Sequence, residues 1–301
     1  MTSFERSLEI WSEAALPVHG TVLRLLYHAQ VRQGATDLAA RVGRLVPRVE
    51  RFHEALYAKG THLLQSSPDD ERLAPAPPRT DGPLLEVGRN AILIQSESDL
   101  ADVAVHTGHE TQEIMLRRTR RAQALVRKLW WPEAGCFCAR HRQRWIEPLT
   151  ADGLLALYCG GATPAQAREI ASRHLHSGEG GLWSPHPLAL GPQGSGHAVS
   201  PLFNWMMIIG TYRYGLDSLA EELWASTVEL VEKRGIWALY HPETGDGISG
   251  ENDDDSRRCP LPAACSIPGT NDKSILVVEG GAKTPPGLDS PLLWGKRTPA
   301  S

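Results

Sequence analysis

The residue types that can do chemistry converge at the end of one stretch, residues 200–247: SPLFNWMMIIGTYRYGLDSLAEELWASTVELVEKRGIWALYHPETGDG. Its last six residues, Pro242-Glu243-Thr244-Gly245-Asp246-Gly247, form a turn by composition and present the carboxylate of Asp246. Proline presets φ and glycine supplies positive φ in such turns. An exposed carboxylate can hold or move a proton, but Gly-Asp-Gly is also ordinary turn chemistry. Tyr240 and His241 lead into the turn as polar aromatics suited to ligand contact. The same duality applies elsewhere. Trp205 sits on an apolar helical face, where core packing competes with stacking on a ligand. His19, just after Pro17, is either cleft-facing or a hydrogen-bonded structural histidine. Trp183 and His186 lie on the Gly/Pro-rich loop 178–196. Cys136 and Cys138, two residues apart, have no Cys or His pair at zinc spacing beside them and read as small apolar partners of Phe137. No metal site and no cofactor is expected.

Helices must position these groups. Leu202, Trp205, Met206 and Ile209 recur at helical spacing, and after Tyr214-Gly215 a second set, Leu219, Leu223, Trp224, Val228 and Val231, repeats the period. The stretch is a helix hairpin whose exit delivers Tyr240, His241 and Asp246 onto a loop. Upstream, residues 4–14 and 21–31 read as helices. Asp37 is placed to cap a third, which Pro47 should kink or split. Residues 90–104 and 109–130 carry further amphipathic helices; in the second, Arg117, Arg118, Arg120 and Arg121 read as a solvated outer face. Residues 150–158 are apolar and helical, and Thr163-Pro164 opens another helix by the cap-then-proline pattern. Strand patterns are limited to residues 137–138 and 275–278. The fold is all-α, a run of helix–turn–helix units without a solenoid's strict repeat. Its form is a closed double ring of helices rather than a stack.

Two stretches break this pattern. Residues 60–88 are proline-rich with little apolar content, a loop or linker interrupting a helical domain over 1–250. Residues 251–301 run acidic and then Pro/Gly-rich without periodicity, and read as a disordered tail or a replaced C-terminus. Over the whole chain, 31 Lys+Arg against 35 Asp+Glu give a net charge of −4. That balance lacks the concentrated basic surface that nucleic acid or anionic membrane requires. No apolar run reaches the roughly 18 residues of a membrane span, and the first residues lack a signal peptide's apolar core. With an odd five cysteines, the chain is expected to be cytoplasmic.

The segments PVHGTVLRLLY (17–27), NAILIQSESDLADVA (90–104), LWWPEAGCF (129–137) and NWMMIIGTYRYGLDSLAEEL…YHPETGDG together resemble (α/α)6-barrel glycoside hydrolases. The resemblance is to the mannosylglycerate and glucosylglycerate hydrolase type, related to processing α-glucosidases and more distantly to trehalases. It spans residues 15–58 and 88–250 and implies a toroid-like (α/α)6 barrel, here incomplete, acting on a small carbohydrate. Such enzymes invert: an acid protonates the leaving oxygen and a base activates water on the opposite face, the two carboxyls about 6.5–9.5 Å apart. The family's base is a Glu in Pro-x-Thr-Gly-Glu-Gly, so the resemblance puts Asp246 in the base position, one methylene shorter. It also implies sugar contacts for Asn204, Trp205, Tyr240 and His19. The family's acid lies in a Ser-Gly-x-Asp-Asn-Ser-Pro motif that this chain lacks. Asp69, Asp70, Glu71 and Asp81 occupy that region, none in the motif, and no general acid is assigned. The aromatic motif that precedes the hairpin in the family is Gly196-His197-Ala198-Val199-Ser200-Pro201 here. Three functions follow from these facts: a glycoside hydrolase, a catalytically impaired sugar-binding relative, and a helical interaction scaffold.

Overall fold

The computed structural model describes residues 16–56, 62–66, 84–146, 150–175, 181–191 and 198–248. The helix expected over 4–14, the strand pattern at 275–278 and the tail over 251–301 lie outside these residues, as do Asp69, Asp70, Glu71 and Asp81.

Helices dominate. In order they are α1 (His19–Arg32), α2 (Thr36–Gly43), α3 (Val46–Ala55), α4 (Val87–Thr107), α5 (Gln112–Leu129), a 3-10 turn (Ala151–Leu154) running into α6 (Leu155–Tyr158), α7 (Pro164–His174), α8 (Pro201–Arg213) and α9 (Asp217–Arg234). The signals read from the sequence account for most boundaries. Pro47 splits the expected long helix into α2 and α3 and sits in the first turn of α3, where its missing N–H is no loss. Asp37 lies inside the first turn of α2 rather than capping it. Gly108 ends α4 at φ 73°, the left-handed C-cap that favours glycine. Thr163 closes a full capping box with Gln166 at the start of α7.

The helices pack in two layers. α1, α4, α6 and α8 lie side by side as an inner row, with α1 on α4, α4 on α6 and α6 on α8. α5 and α9 turn back on α4 and α8 as outer partners, and α3 also packs on α4. This is an arc of an (α/α) ring, in agreement with the expected fold class. α4 is buried along almost all of its length, including Gln95, Glu97, Asp99 and Asp102. A helix covered on every side needs partners for its polar groups. Arg24 on α1 reaches Asp102 at 3.0 Å, and Arg213 on α8 reaches Gln95 at 3.0 Å.

Two expectations are corrected here. The arginine run of α5 is a solvated face only in part: Arg120 is exposed and Arg118 half-buried, but the other two are buried. Arg121 is fully buried with its Nε 3.2 Å from Glu97 Oε1, and Arg117 is nearly buried between Glu97 and Glu50. The reason is the buried carboxylate of Glu97 on α4, which periodicity within α5 cannot reveal. The chain also carries small sheets. β1 (Gln65–Ser66), β2 (Leu84–Leu85), β5 (Arg140–His141) and β6 (Arg144–Trp145) form an antiparallel four-stranded sheet in that order, and β3 (Trp130–Trp131) pairs with β4 (Cys136–Phe137). Each strand has two residues, so the sheets are stitches between helices. β1 and β2 flank the proline-rich connection and pair Gln65 with Leu85 and Ser66 with Leu84. Cys136 and Cys138 are buried free thiols beside Phe137, as expected, with their sulfurs 3.4 Å apart.

Candidate active site

The hairpin α8–α9 and a short ladder position the turn that bears Asp246. Ser200 caps α8 by accepting from the Phe203 N–H at 3.4 Å. The residue before it, Val199, exchanges two backbone hydrogen bonds with Tyr240, at 2.8 and 2.9 Å. Val199 bridges Ala189 on its other side, and Tyr240 bridges Gly247. The chain leaving α9 is thereby tied to the N-terminus of α8. Within the turn, the His241 N–H donates to Asp246 O at 2.8 Å and the Gly245 N–H to His241 O at 2.8 Å.

Both glycines of the turn are required by what surrounds them. Gly245 has φ 71°, and a Cβ there would lie 2.6 Å from His186 Nε2. A Cβ on Gly247 would fall 2.2 Å from the Trp237 ring. His186 thus packs under the turn, and its own N–H donates to Pro242 O at 3.4 Å. The loop 181–191 supports the carboxylate-bearing turn.

Asp246 itself is exposed, and its Oδ1 lies 3.0 Å from Arg234 Nη1, in the last turn of α9. The second Arg234 nitrogen donates to Thr244 O at 3.0 Å. Sequence reasoning misses Arg234, although a basic residue closing a helix twelve positions before an acid is a visible pattern. The Asp246 N–H donates to Thr244 Oγ1 at 3.2 Å, which fixes the direction of the turn.

The other candidates fall in different environments. Asn204 is fully buried on α8, and its Nδ2 donates to Pro187 O at 3.2 Å. Its Oδ1 finds no hydrogen-bond partner among the described residues, an unusual state for a buried amide oxygen. Trp205 is half-buried against the main core, with its ring 6.2 Å from that of Tyr158. Tyr240 is fully buried; its hydroxyl accepts from the Trp237 N–H at 3.1 Å and donates to Gly235 O. The expectation of an exposed Tyr240 is corrected: the ladder with Val199 makes it a brace behind the turn. His19 is buried at the start of α1, edge-on to Phe52 at 4.4 Å, and burial pushes its pKa down to about 4. It is neutral and inside the protein near physiological pH.

Polar groups also gather at the N-terminus of α4, where sequence reasoning places no candidate. Asn90 accepts from the Leu64 N–H at 2.7 Å and donates to Leu64 O and Glu86 O. Asp152 accepts from the Gly88 N–H at 3.0 Å, a carboxylate at the positive end of a helix. These contacts fasten β1 and the 3-10 turn to the helix that follows the proline-rich connection. Non-local pairing of this kind has no signature in one sequence.

Residues 27–189 match the family model described as the mannosylglycerate hydrolase MGH1-like glycoside hydrolase domain. Among curated proteins, mannosylglycerate hydrolase MGH1 of Selaginella moellendorffii is 31% identical over 170 residues, covering 54% of this chain and 35% of that protein. The mannosylglycerate hydrolase of Thermus thermophilus is 31% identical over 189 residues, covering 56% of this chain and 42% of that protein. The chain thus spans less than half the length of these relatives. In structure, it is similar to a GH63 mannosylglycerate hydrolase of Thermus thermophilus solved with glucose. That match has TM-score 0.67 and 24% identity and covers 79% of this chain and 72% of the other. A rhamnosidase from Klebsiella oxytoca shares the fold more loosely, with TM-score 0.54, 18% identity and coverage of 76% of this chain and 42% of the other. With more than half of its residues inside the family model, the chain belongs to the MGH1-like glycoside hydrolases, a family of glycosidases.

Proposed function

We propose that this protein is an inverting hydrolase of a small α-glycoside of the mannosylglycerate or glucosylglycerate class, with Asp246 as the water-activating base. One observation carries the reading most: Asp246 stands exposed on a turn whose ladder, glycines and Tyr240 brace all serve to hold it. The resemblance independently assigns that position to the base. Asn204, which the resemblance assigns to the sugar, and Trp205 one residue on are taken as the sugar-facing end of α8. Structures of the Thermus thermophilus hydrolase with Tris and D-glycerate support a small polar ligand. Among the described residues no helix is long and apolar enough to cross a membrane, and the setting is taken to be cytoplasmic.

The test is release of free sugar from mannosylglycerate, glucosylglycerate and trehalose, with NMR following the first anomer formed. Inversion of an α-linkage yields the β-anomer first. Asp246→Asn should abolish turnover. The general acid is sought by replacing Asp69, Asp70 and Asp81 with Asn and Glu71 with Gln, one at a time. Retained turnover in Asp246→Asn would remove the residue from the mechanism.

A second reading has its own support. The chain lacks the family's acid motif, and a side chain one methylene short leaves the Asp246 oxygen about 1 Å from the expected place, a displacement that can lower rate on the order of 100-fold. A sugar-binding relative with little or no turnover fits these facts. It predicts ligand-dependent thermal stabilisation without product.

A further inference from the structure

The junction of α1 with the last turns of α4 brings together three side chains that the glycosidase chemistry does not use. Asp102 and His106 are one helical turn apart on α4 and therefore share a face. His28 reaches across from α1. Its Nε2 lies 2.6 Å from Asp102 Oδ2, and His106 Nδ1 lies 3.8 Å from Asp102 Oδ1. The three ligand atoms all fall within 4.8 Å of one another. The two imidazoles stand edge to face at 5.3 Å, and the Tyr27 ring backs both, at 5.4 and 6.0 Å.

Exposure is graded as an ion site needs. The Asp102 side chain is 4% exposed, that of His28 27% and that of His106 46%, so a buried carboxylate sits beneath an open imidazole rim. Burial works against the charge of Asp102, but the hydrogen bond from His28 and the Arg24 guanidinium more than offset it and hold the group below the usual carboxylate range. Arg24 lies 3.0 Å from Oδ2, the oxygen that His28 also meets, and 3.7 Å from Asp99, and so fixes the carboxylate's orientation. Orientation of a ligating carboxylate by a neighbouring donor is a recurrent feature of metal sites.

We propose that His28, Asp102 and His106 form a binding site for a divalent transition cation, of which Zn²⁺ is the probe, and that the bound ion clamps α1 to α4. Sequence spacing gives no hint of it, because the third ligand comes from another helix. The donor set decides the class: two imidazoles with one carboxylate suit Zn²⁺ and its neighbours, whereas Ca²⁺ and Mg²⁺ take oxygen ligands. Ligand atoms about 2.0–2.2 Å from a tetrahedral zinc lie roughly 3.4 Å apart, so the widest separation here must close by at most about 1.4 Å. Each histidine must present a lone pair. His106 Nδ1 now hydrogen-bonds Asp102 O at 2.8 Å, and His28 Nε2 bonds Asp102 Oδ2. Coordination moves each imidazole proton to the other ring nitrogen, and a water completes the fourth position. The Arg24 charge opposes a dication, so binding should be moderate.

Calorimetric titration of the purified chain with ZnCl₂ tests the site, alongside thermal melts with and without Zn²⁺ and after chelation. One ion should bind per chain, raise the melting temperature, and lose that effect on chelation. Co²⁺ should give the visible absorption of a low-symmetry bound ion. His106→Ala, at a half-exposed rim position, should fold normally and weaken binding at least about tenfold. His28→Ala should do the same, with circular dichroism reporting its fold. No binding in the wild type, or binding unchanged in His106→Ala, would overturn the proposal, because zinc would then be held elsewhere or not at all.

Discussion

Arg234 Nη1 lies 3.0 Å from Asp246 Oδ1, so the last turn of α9 grips the carboxylate that the family resemblance marks as the base. The pair is exposed on both sides, and an exposed ion pair contributes at most about 1 kcal/mol. Its effect on stability is therefore small. On the proposal that Asp246 is the base, its effect on chemistry should be larger, since the same guanidinium ties the carboxylate and the Thr244 carbonyl to one helix end.

Arg234→Gln should leave the urea midpoint nearly unchanged while lowering kcat by about tenfold or more, because a reacting group aimed loosely loses rate steeply. An unchanged kcat in this variant would show that the turn aims Asp246 without the ion pair.

Asp246→Glu adds the methylene that the family's base carries. If the turn holds Asp246 for catalysis, the longer side chain should raise kcat, by up to about 100-fold if it corrects a 1 Å displacement. Side-by-side kcat measurements on one glycoside decide this.

Gly247→Ala places a methyl 2.2 Å from the Trp237 ring, and Gly245→Ala adds strain at φ 71° next to His186. Each should lower unfolding free energy by about 1–3 kcal/mol, read as a drop in urea midpoint. Turnover should fall further than stability does, because the ladder bonds at Tyr240 and Gly247 aim Asp246.

Tyr240→Phe removes a buried hydroxyl that bonds Trp237 and Gly235. A stability loss of about 1–2 kcal/mol is expected. Since the hydroxyl faces inward, KM measured at a temperature where the variant is folded should stay near the wild-type value.

Acid should weaken the fold through His19. Its folded pKa, about 4, lies below the ordinary histidine value of 6.5. The unfolded chain therefore binds more protons, and stability falls as pH drops from 6.5 toward 4. A shift of this size corresponds to on the order of 3 kcal/mol. His53, fully buried, is lowered by burial in the same sense. Glu97 opposes them: burial raises its pKa from 4.5 to about 7 against the pull of Arg121 and Arg117, so its contribution is lost as pH rises through that range. The discriminating measurement is the slope of urea midpoint against pH in wild type and His19→Gln. The variant should lose the part of the slope that opposes Glu97.

The helix boundaries were legible because their signals are local. Pro47 and the Thr163-Pro164 pair each act through the backbone within one turn, so one sequence suffices to place them. The periodicity of residues 202–231 likewise disclosed the hairpin that carries Asp246. The arginines of α5 show where local reading stops. Arg120 is exposed and Arg121, its neighbour, is fully buried, because Glu97 waits on α4, twenty-four residues away in sequence. Tyr240 shows the same thing at the site. Its type and loop position suggest contact with a ligand, and only pairing with Val199 turns it inward.

By itself the sequence determined the all-α class, the order of the helices, the turn that holds Asp246 and the family to which the chain belongs. These depend on hydrophobic period, on residues that restrict φ, and on short motifs, all written in neighbouring positions. The tertiary structure decided which charges are buried, that Arg234 pairs with Asp246, that Tyr240 and His19 face inward, and that His28 meets Asp102 and His106. Each of these is a contact between residues distant along the chain or on opposite sides of a turn, and it exists only once inner and outer helices have packed.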